Sequence, residues 1–253
     1  LYWENWSKKV GLIAKKFIER ISKLVTNVPE LKKEFTVFIK GLQNNLNPSV
    51  DEGQAIEMLA QHLISQPVFD ALFQDYNFIN NNAVSRSMHR MIELLIEVGG
   101  FEKDTVELEE FYESVRVNVG NIDNLEGRQT IIKNLYEKFF KGAFPLTVEK
   151  LGIVYTPIEC VDFIIHSVND ILVKEFNTSL SDENVHILDP FTGTGTFITR
   201  LLQSGLIRKE DMERKYLNEI HCNEIVLLAY YIADVNIEAV YHDIMRPDHY
   251  VNY

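Results

Sequence analysis

The chain has 253 residues, 46% hydrophobic and 11% aromatic, enough for one large domain or two small ones with real cores. Its formal net charge is −12. An acidic chain repels phosphates, so DNA binding is expected to lie outside it or to be no part of its work. No apolar run reaches the ~18 residues of a membrane span and no signal peptide opens the chain, so a cytoplasmic protein with no membrane partner is expected.

Residues 1–145 read as a helical domain. Trp6, Val10, Ile13, Phe17, Ile21 and Leu24 recur at three- and four-residue steps, one apolar face of a helix. Pro29 opens a second helix through Leu31, Phe35, Phe38 and Ile39, expected to stop near Gly41. Asn44 to Ser49 reads as a polar linker. Asp51 caps a third helix that buries Ile56, Leu59, Ala60 and Leu63. Pro67 predicts a fresh start for Val68 to Phe73, and Asn80-Asn81-Asn82 a loop. Further helices are predicted over Met88 to Val98, Phe111 to Val117 and Ile131 to Phe140, with Ile131, Leu135 and Phe139 as core.

After Pro145 helix and strand alternate. The pattern predicts helix over 157–176, strand 185–188, helix 196–204, strand near 216–220, helix 224–235 and strand 239–242. Such alternation implies a parallel, doubly wound sheet with its ligand turns at strand ends. The boundary is expected between Pro145 and Gly152, giving domains 1–145 and 146–253. Cys160 and Cys222 lack metal-type spacing and are expected as free thiols, and His221 and His242 as structural histidines. Leu1 is not a methionine and Tyr253 follows no capping signal, so an excised piece of a longer polypeptide is expected.

The most informative stretch is Asp189-Pro190-Phe191-Thr192-Gly193-Thr194-Gly195-Thr196-Phe197, between the strand and the helix. Glycine lets backbone approach a ligand, and free N–H groups at a helix start suit a carboxylate or phosphate. A dinucleotide fingerprint is disfavoured because Ile198 stands at its third glycine, and a P-loop because no lysine follows. The remaining form, Asp-Pro-x-x-Gly-x-Gly-x-Phe, resembles the first motif of amino-group DNA methyltransferases that use S-adenosylmethionine. Tyr155-Thr156-Pro157, a helix start some thirty residues earlier, resembles a further motif of that family. Thr156 is expected to cap the helix that Pro157 begins.

Two acids complete the expected cofactor site. Glu224, after the second predicted strand, is chosen to accept the ribose hydroxyls, with Glu219 as the alternative. Asp243, at the end of the third predicted strand, would accept from the adenine amine, as the resemblance implies. The cofactor-binding set is thus Tyr155, Thr156, Pro157, Asp189, Pro190, Phe191, Gly193, Gly195, Phe197, Glu224 and Asp243, with no metal. The resemblance extends over Gln61 to Phe73, Gly127 to Phe140 and Leu151 to Pro157, which look like type ISP restriction–modification enzymes. In that family one polypeptide carries a nuclease, a helicase-like motor, a helical coupler, an adenine-N6 methyltransferase and a target-recognition domain.

The resemblance implies a helical coupler domain over 1–145, followed over 146–253 by the N-terminal, cofactor-binding part of a truncated Rossmann-like methyltransferase fold. It implies S-adenosylmethionine as cofactor, and as partners DNA through the full-length protein, the motor and the target-recognition domain. The family's Asn/Asp-Pro-Pro-Tyr/Phe motif is missing, so no catalytic residue is expected in this chain, and no methyl transfer by it alone. The main reading is the cofactor-binding portion of an adenine-N6 DNA methyltransferase. The alternatives are a helical coupling module between motor and methyltransferase, or a methyltransferase for RNA or protein.

Overall fold

The computed structural model describes residues 2–45, 48–72, 83–101, 106, 108–109, 112–113, 117, 156–246, 251 and 253. The chain divides into two compact units, Leu1–Gly152 and Ile153–Tyr253.

The first unit is helical among its described residues. Helix α1 spans Tyr2–Asn27, α2 Pro29–Asn45, α3 Glu52–Leu72 and α4 Ala83–Gly99. Val10, Ile13, Phe17 and Ile21 are buried along α1, and Leu31, Phe35 and Phe38 along α2, as their spacing requires. Helix α1 packs on α2, α3 and α4, so one core serves them all. Phe17 meets Phe101 edge to face, with ring centroids 5.0 Å apart. The Arg20 guanidinium lies over the same Phe101 ring, 5.2 Å from its centroid.

Asp51 caps α3 as expected, and does so reciprocally. The Gln54 N–H donates to Asp51 Oδ1 at 2.8 Å, and the Asp51 N–H donates to Gln54 Oε1 at 3.0 Å. Helix α3 also carries polar groups inside: Gln61, His62 and Ser65 are buried. Burial drives the His62 pKa down to about 4, so its ring is neutral at physiological pH. The Tyr112 hydroxyl reaches in and donates to the Ile64 carbonyl at 2.9 Å.

Two boundaries differ from expectation. Helix α2 passes Gly41 and runs to Asn45, because a single glycine weakens a helix without ending it. Helix α3 passes Pro67 without a new start. A proline there forfeits one backbone hydrogen bond, and burial of α3 through Ile64 and Ser65 offsets that loss. The predicted loop at 80–82 and the helix over 131–140, with Ile131, Leu135 and Phe139, lie outside the described residues.

The second unit is a small α/β arrangement. Helix α5 spans Ile158–Phe176, strand β1 Ile187–Asp189, helix α6 Thr196–Gln203, strand β2 Ile220–Cys222 and helix α7 Leu227–Met245. The strands pair in parallel, Ile187 with Ile220 and Asp189 with Cys222. Helix α5 packs on α6, and α6 on α7.

The doubly wound Rossmann-like sheet is not what the described residues form: they contain this two-stranded sheet alone. The strand expected over 239–242 lies inside α7. Val240-Tyr241 invited a strand reading because β-branched and aromatic residues favour strands. However, 227–245 holds no glycine or proline and is buried on nearly every side, which erases the helical period. The strand expected near 216–220 is displaced to 220–222. Residues 215–219 make a π turn instead.

That π turn carries a buried ion pair. Lys215 is fully buried, and its Nζ donates to the carbonyls of Asp182 at 2.6 Å and Val185 at 2.7 Å. It also pairs with Glu219 at 2.8 Å, and Arg214 donates to the same Glu219 oxygen. The strand reading had no place for a buried ion pair one turn apart.

Candidate functional site

The glycine turn begins at the carboxyl end of β1 and hands over to α6. Gly193 and Gly195 both have positive φ, +58° and +83°, which L side chains rarely adopt. Their surroundings differ. A Cβ on Gly193 would meet nothing within 4 Å. A Cβ on Gly195 would stand 3.2 Å from the Ala233 Cα and 3.3 Å from the Ile237 side chain. Gly195 is therefore required by the close passage of α7. Gly193 is the position that leaves open space above the backbone.

The N–H groups of the turn are largely engaged within the protein. The Gly193 N–H donates to Glu224 Oε2 at 2.8 Å, and the Val226 N–H donates to Oε1 at 2.7 Å. Glu224 thus bridges the glycine turn to the start of α7. Burial pushes its carboxyl above the usual range against those backbone bonds, and the charge of Asp189 adds to the shift. Asp189 is also raised by burial, opposed by the Phe191 N–H, which donates to its Oδ1 at 3.3 Å. Asp189 Oδ2 is buried with no hydrogen-bond partner, an acceptor left open inside the turn.

Residues not anticipated from the sequence hold the turn in place. The Thr192 N–H donates to the Asn223 carbonyl at 3.1 Å, and the Asn223 N–H donates to the Asp189 carbonyl at 3.0 Å. The Thr192 hydroxyl donates to the same Asp189 carbonyl, and Asn223 Nδ2 donates to that of Pro190 at 3.0 Å. Asn236 of α7 donates to the Thr194 carbonyl at 3.0 Å. Threonine and asparagine bond nearby backbone readily, and their presence inside and opposite the motif was the available signal.

The other predicted residues are placed less centrally. Phe191 is 88% exposed, Pro190 is exposed and Phe197 half-buried in the first turn of α6. Thr156 and Pro157 are exposed, and Tyr155 lies outside the described residues. Pro157 itself is the N-cap of α5, with no side-chain cap, so the expected Thr156 cap does not form. Asp243 sits exposed in the last turns of α7, and the strand end that recommended it is absent. Glu219, the alternative to Glu224, is committed elsewhere. Burial would raise it, yet bonds from Lys215, the Asn184 N–H and Arg214 hold it at about 2.

No group of three metal-ligating side chains occurs among the described residues. His186 Nδ1 and His221 Nε2 lie 2.9 Å apart, one ring donating to the other. His242 Nε2 contacts the Val251 carbonyl at 3.1 Å. Cys160 and Cys222 are free thiols, as expected. Among the described residues no helix is long and apolar enough to cross a membrane.

These features define a helical bundle joined in sequence to a small parallel α/β unit with a glycine turn. Residues 2–127 match the family model for the coupler domain of type ISP restriction–modification enzymes. The whole chain is similar to part of a nuclease-deletion mutant of the type ISP enzyme LlaGI, solved with a DNA substrate mimic. The identity is 48%, the TM-score 0.86, and the match covers all of this chain and 20% of that one. It is similar to the ATP-dependent type ISP enzyme LlaBIII bound to DNA at 49% identity and TM-score 0.87, over all of this chain and 17% of that one. A DrdV–DNA complex matches at 30% identity and TM-score 0.84, over 99% of this chain and 24% of that one. The chain therefore spans about a fifth of the length of these relatives. No curated protein matches it.

The family match corrects the main functional reading drawn from the motifs. The domain it names over residues 2–127 is the coupler, which agrees with the coupling alternative and overturns a cofactor-binding methyltransferase portion as the chain's function.

Proposed function

We propose that this chain serves as a helical coupling module inside a multidomain restriction–modification polypeptide. It would connect a DNA-translocating motor to the parts that recognise and modify DNA. The coupler-domain match over residues 2–127 carries this reading. The bundle is built for such a role. Helix α1 packs against α2, α3 and α4 around buried Val10, Ile13, Phe17 and Ile21, so displacement at one end is passed on as a body. DNA is the partner of the whole polypeptide on this reading, and so are the motor and target-recognition domains. Adenine methylation likewise belongs to the whole enzyme, and the chain alone is expected to transfer no methyl group.

The test is made in the full-length enzyme. Loosening the bundle with Phe17→Ala is expected to leave ATP hydrolysis in place while DNA translocation and cleavage fall. Equal loss of all three activities, or no loss of any, contradicts coupling. S-adenosylmethionine remains the ligand to try at the glycine turn, supported by the open space above Gly193 and the unpartnered Asp189 oxygen. Calorimetric titration of the chain beside Asp189→Ala decides it, with saturable heat lost in the variant as the expected result.

A further inference from the structure

The net charge of −12 conceals a segregation. The first 45 residues hold nine Lys and Arg against four Glu, a net of +5. The remaining 208 hold 16 against 33, a net of −17. The positive charge thus sits on α1 and α2, consecutive helices joined through Val28.

Its placement is regular. Lys15, Lys16 and Lys23 are exposed on the side of α1 away from buried Ile13, Phe17 and Ile21. Lys33 and Lys40 are exposed on the side of α2 away from Leu31, Phe35 and Phe38. Lys16 and Lys23 are seven residues apart, as are Lys33 and Lys40. Each pair therefore lies on one face at a spacing of about 10 Å. Lys15, Lys23, Lys33 and Lys40 have no carboxylate within ion-pair distance among the described residues, although Glu19 and Glu30 are exposed on the same two helices.

We infer that the outward lysine faces of α1 and α2 form a contact surface for the phosphate backbone of duplex DNA. Duplex DNA presents a charge every ~1.7 Å of its axis, so lysines two helical turns apart each find a phosphate without strict register. Salt screens charges beyond about 8 Å at physiological ionic strength, so only carboxylates close to these lysines weaken the attraction. A lysine surface of this kind carries no base-reading geometry, so the contact is independent of sequence. It would hold or steer DNA as it passes and would leave recognition to other parts of the polypeptide.

The inference rests on charge and exposure and does not require the coupling reading, which is tested by separate activities. The experiment is fluorescence anisotropy of a labelled duplex titrated with the 253-residue chain across a salt series. Weak binding at low salt is expected, falling linearly in log K against log salt. The variant Lys16→Gln/Lys23→Gln/Lys33→Gln/Lys40→Gln should weaken low-salt binding at least tenfold. It should also flatten the slope by up to about 3.6, at about 0.9 per phosphate. Lys174→Gln/Lys209→Gln, two exposed lysines of the second unit, should leave the slope unchanged. No binding at low salt, an unchanged slope in the four-site variant, or equal displacement by polyglutamate would overturn the proposal. The last would mean that the surface docks an acidic protein face instead.

Discussion

The two units of this chain are stabilised in different ways. In the first, helices bury apolar faces against one another, and Val10, Phe17, Ile21, Leu31 and Leu59 carry the fold. In the second, the described residues contain a two-stranded sheet too small to hold itself together, and polar connections add to the apolar packing of α6 and α7. Lys215 and Glu219 pin the loop before β1, and Arg200 clasps Asp162 through two bonds of 2.8 and 2.7 Å, tying α6 to α5. Glu224 ties the glycine turn to α7. Apolar faces repeat with the helical period and so announce themselves in sequence. Polar ties between distant residues do not.

The largest expected effects set the two against each other. Phe17→Ala removes a fully buried ring and its contact with Phe101, and should cost the first unit about 3–5 kcal/mol. Lys215→Ala strips the Asp182 and Val185 carbonyls of their donor and deprives buried Glu219 of a cation. It should cost the second unit a comparable ~3–5 kcal/mol. Both tryptophans, Trp3 and Trp6, belong to the first unit. Urea melts followed by tryptophan fluorescence therefore report that unit alone, and circular dichroism reports both. Phe17→Ala should move the fluorescence midpoint, and Lys215→Ala a circular-dichroism transition without it. If each variant moves both signals equally, the units unfold as one and the contrast between them fails.

A smaller difference divides the two glycines of the turn. Gly195→Ala meets a left-handed backbone and the backbone of Ala233, and should destabilise the second unit by at least ~1–3 kcal/mol. Gly193→Ala meets the backbone penalty alone, about 1 kcal/mol, since its Cβ would face open space. Thermal midpoints of the two variants give the ranking. Equal midpoints would show that α7 yields, and that Gly195 is not there for packing. The Asp51 cap on α3 is the next step down. Asp51→Ala should cost about 1 kcal/mol, visible in the fluorescence melt of the first unit.

How much could be read in advance follows from the same physics. Helices α1 to α4 were legible because Ile13, Phe17 and Ile21, or Leu31, Phe35 and Phe38, sit on a single face. Their ends were less so, because Gly41 and Pro67 are local signals that tertiary burial overrode. In the second unit the turn itself was legible: an aspartate and two glycines between a strand and a helix, with Glu224 opposite. Helix α7 was not, because a helix buried on nearly all sides loses the period that marks it, and Val240-Tyr241 then looks like a strand. Without that strand, Asp243 loses the position that made it a candidate. Residues 1–145 were legible as a helical coupler through the resemblance that includes Gln61 to Phe73, yet the glycine turn drew the main functional reading. The turn is the loudest motif in the chain, while residues 2–127 speak mainly through helical periodicity.

The finest probe of the second unit is the opposite titration of its carboxylates. Glu219 is held at about 2, below its ordinary 4.5, so the unfolded chain binds the proton more readily. Its contribution to stability is complete above about pH 4.5 and is lost as pH falls toward 2. Asp189 and Glu224 are raised by burial, so the folded chain holds their protons longer. Their contribution is greatest below the usual carboxylate range and is lost as pH rises through their raised values. Carboxyl-carbon NMR over this range should show Glu219 titrating last on acidification, after Asp189 and Glu224. A ligand that neutralises the turn should draw those two acids down and leave Glu219 unmoved. If all three titrate together near their ordinary values, the glycine turn is open to water, and the polar fixing that distinguishes this unit from the helical one is weaker than its geometry implies.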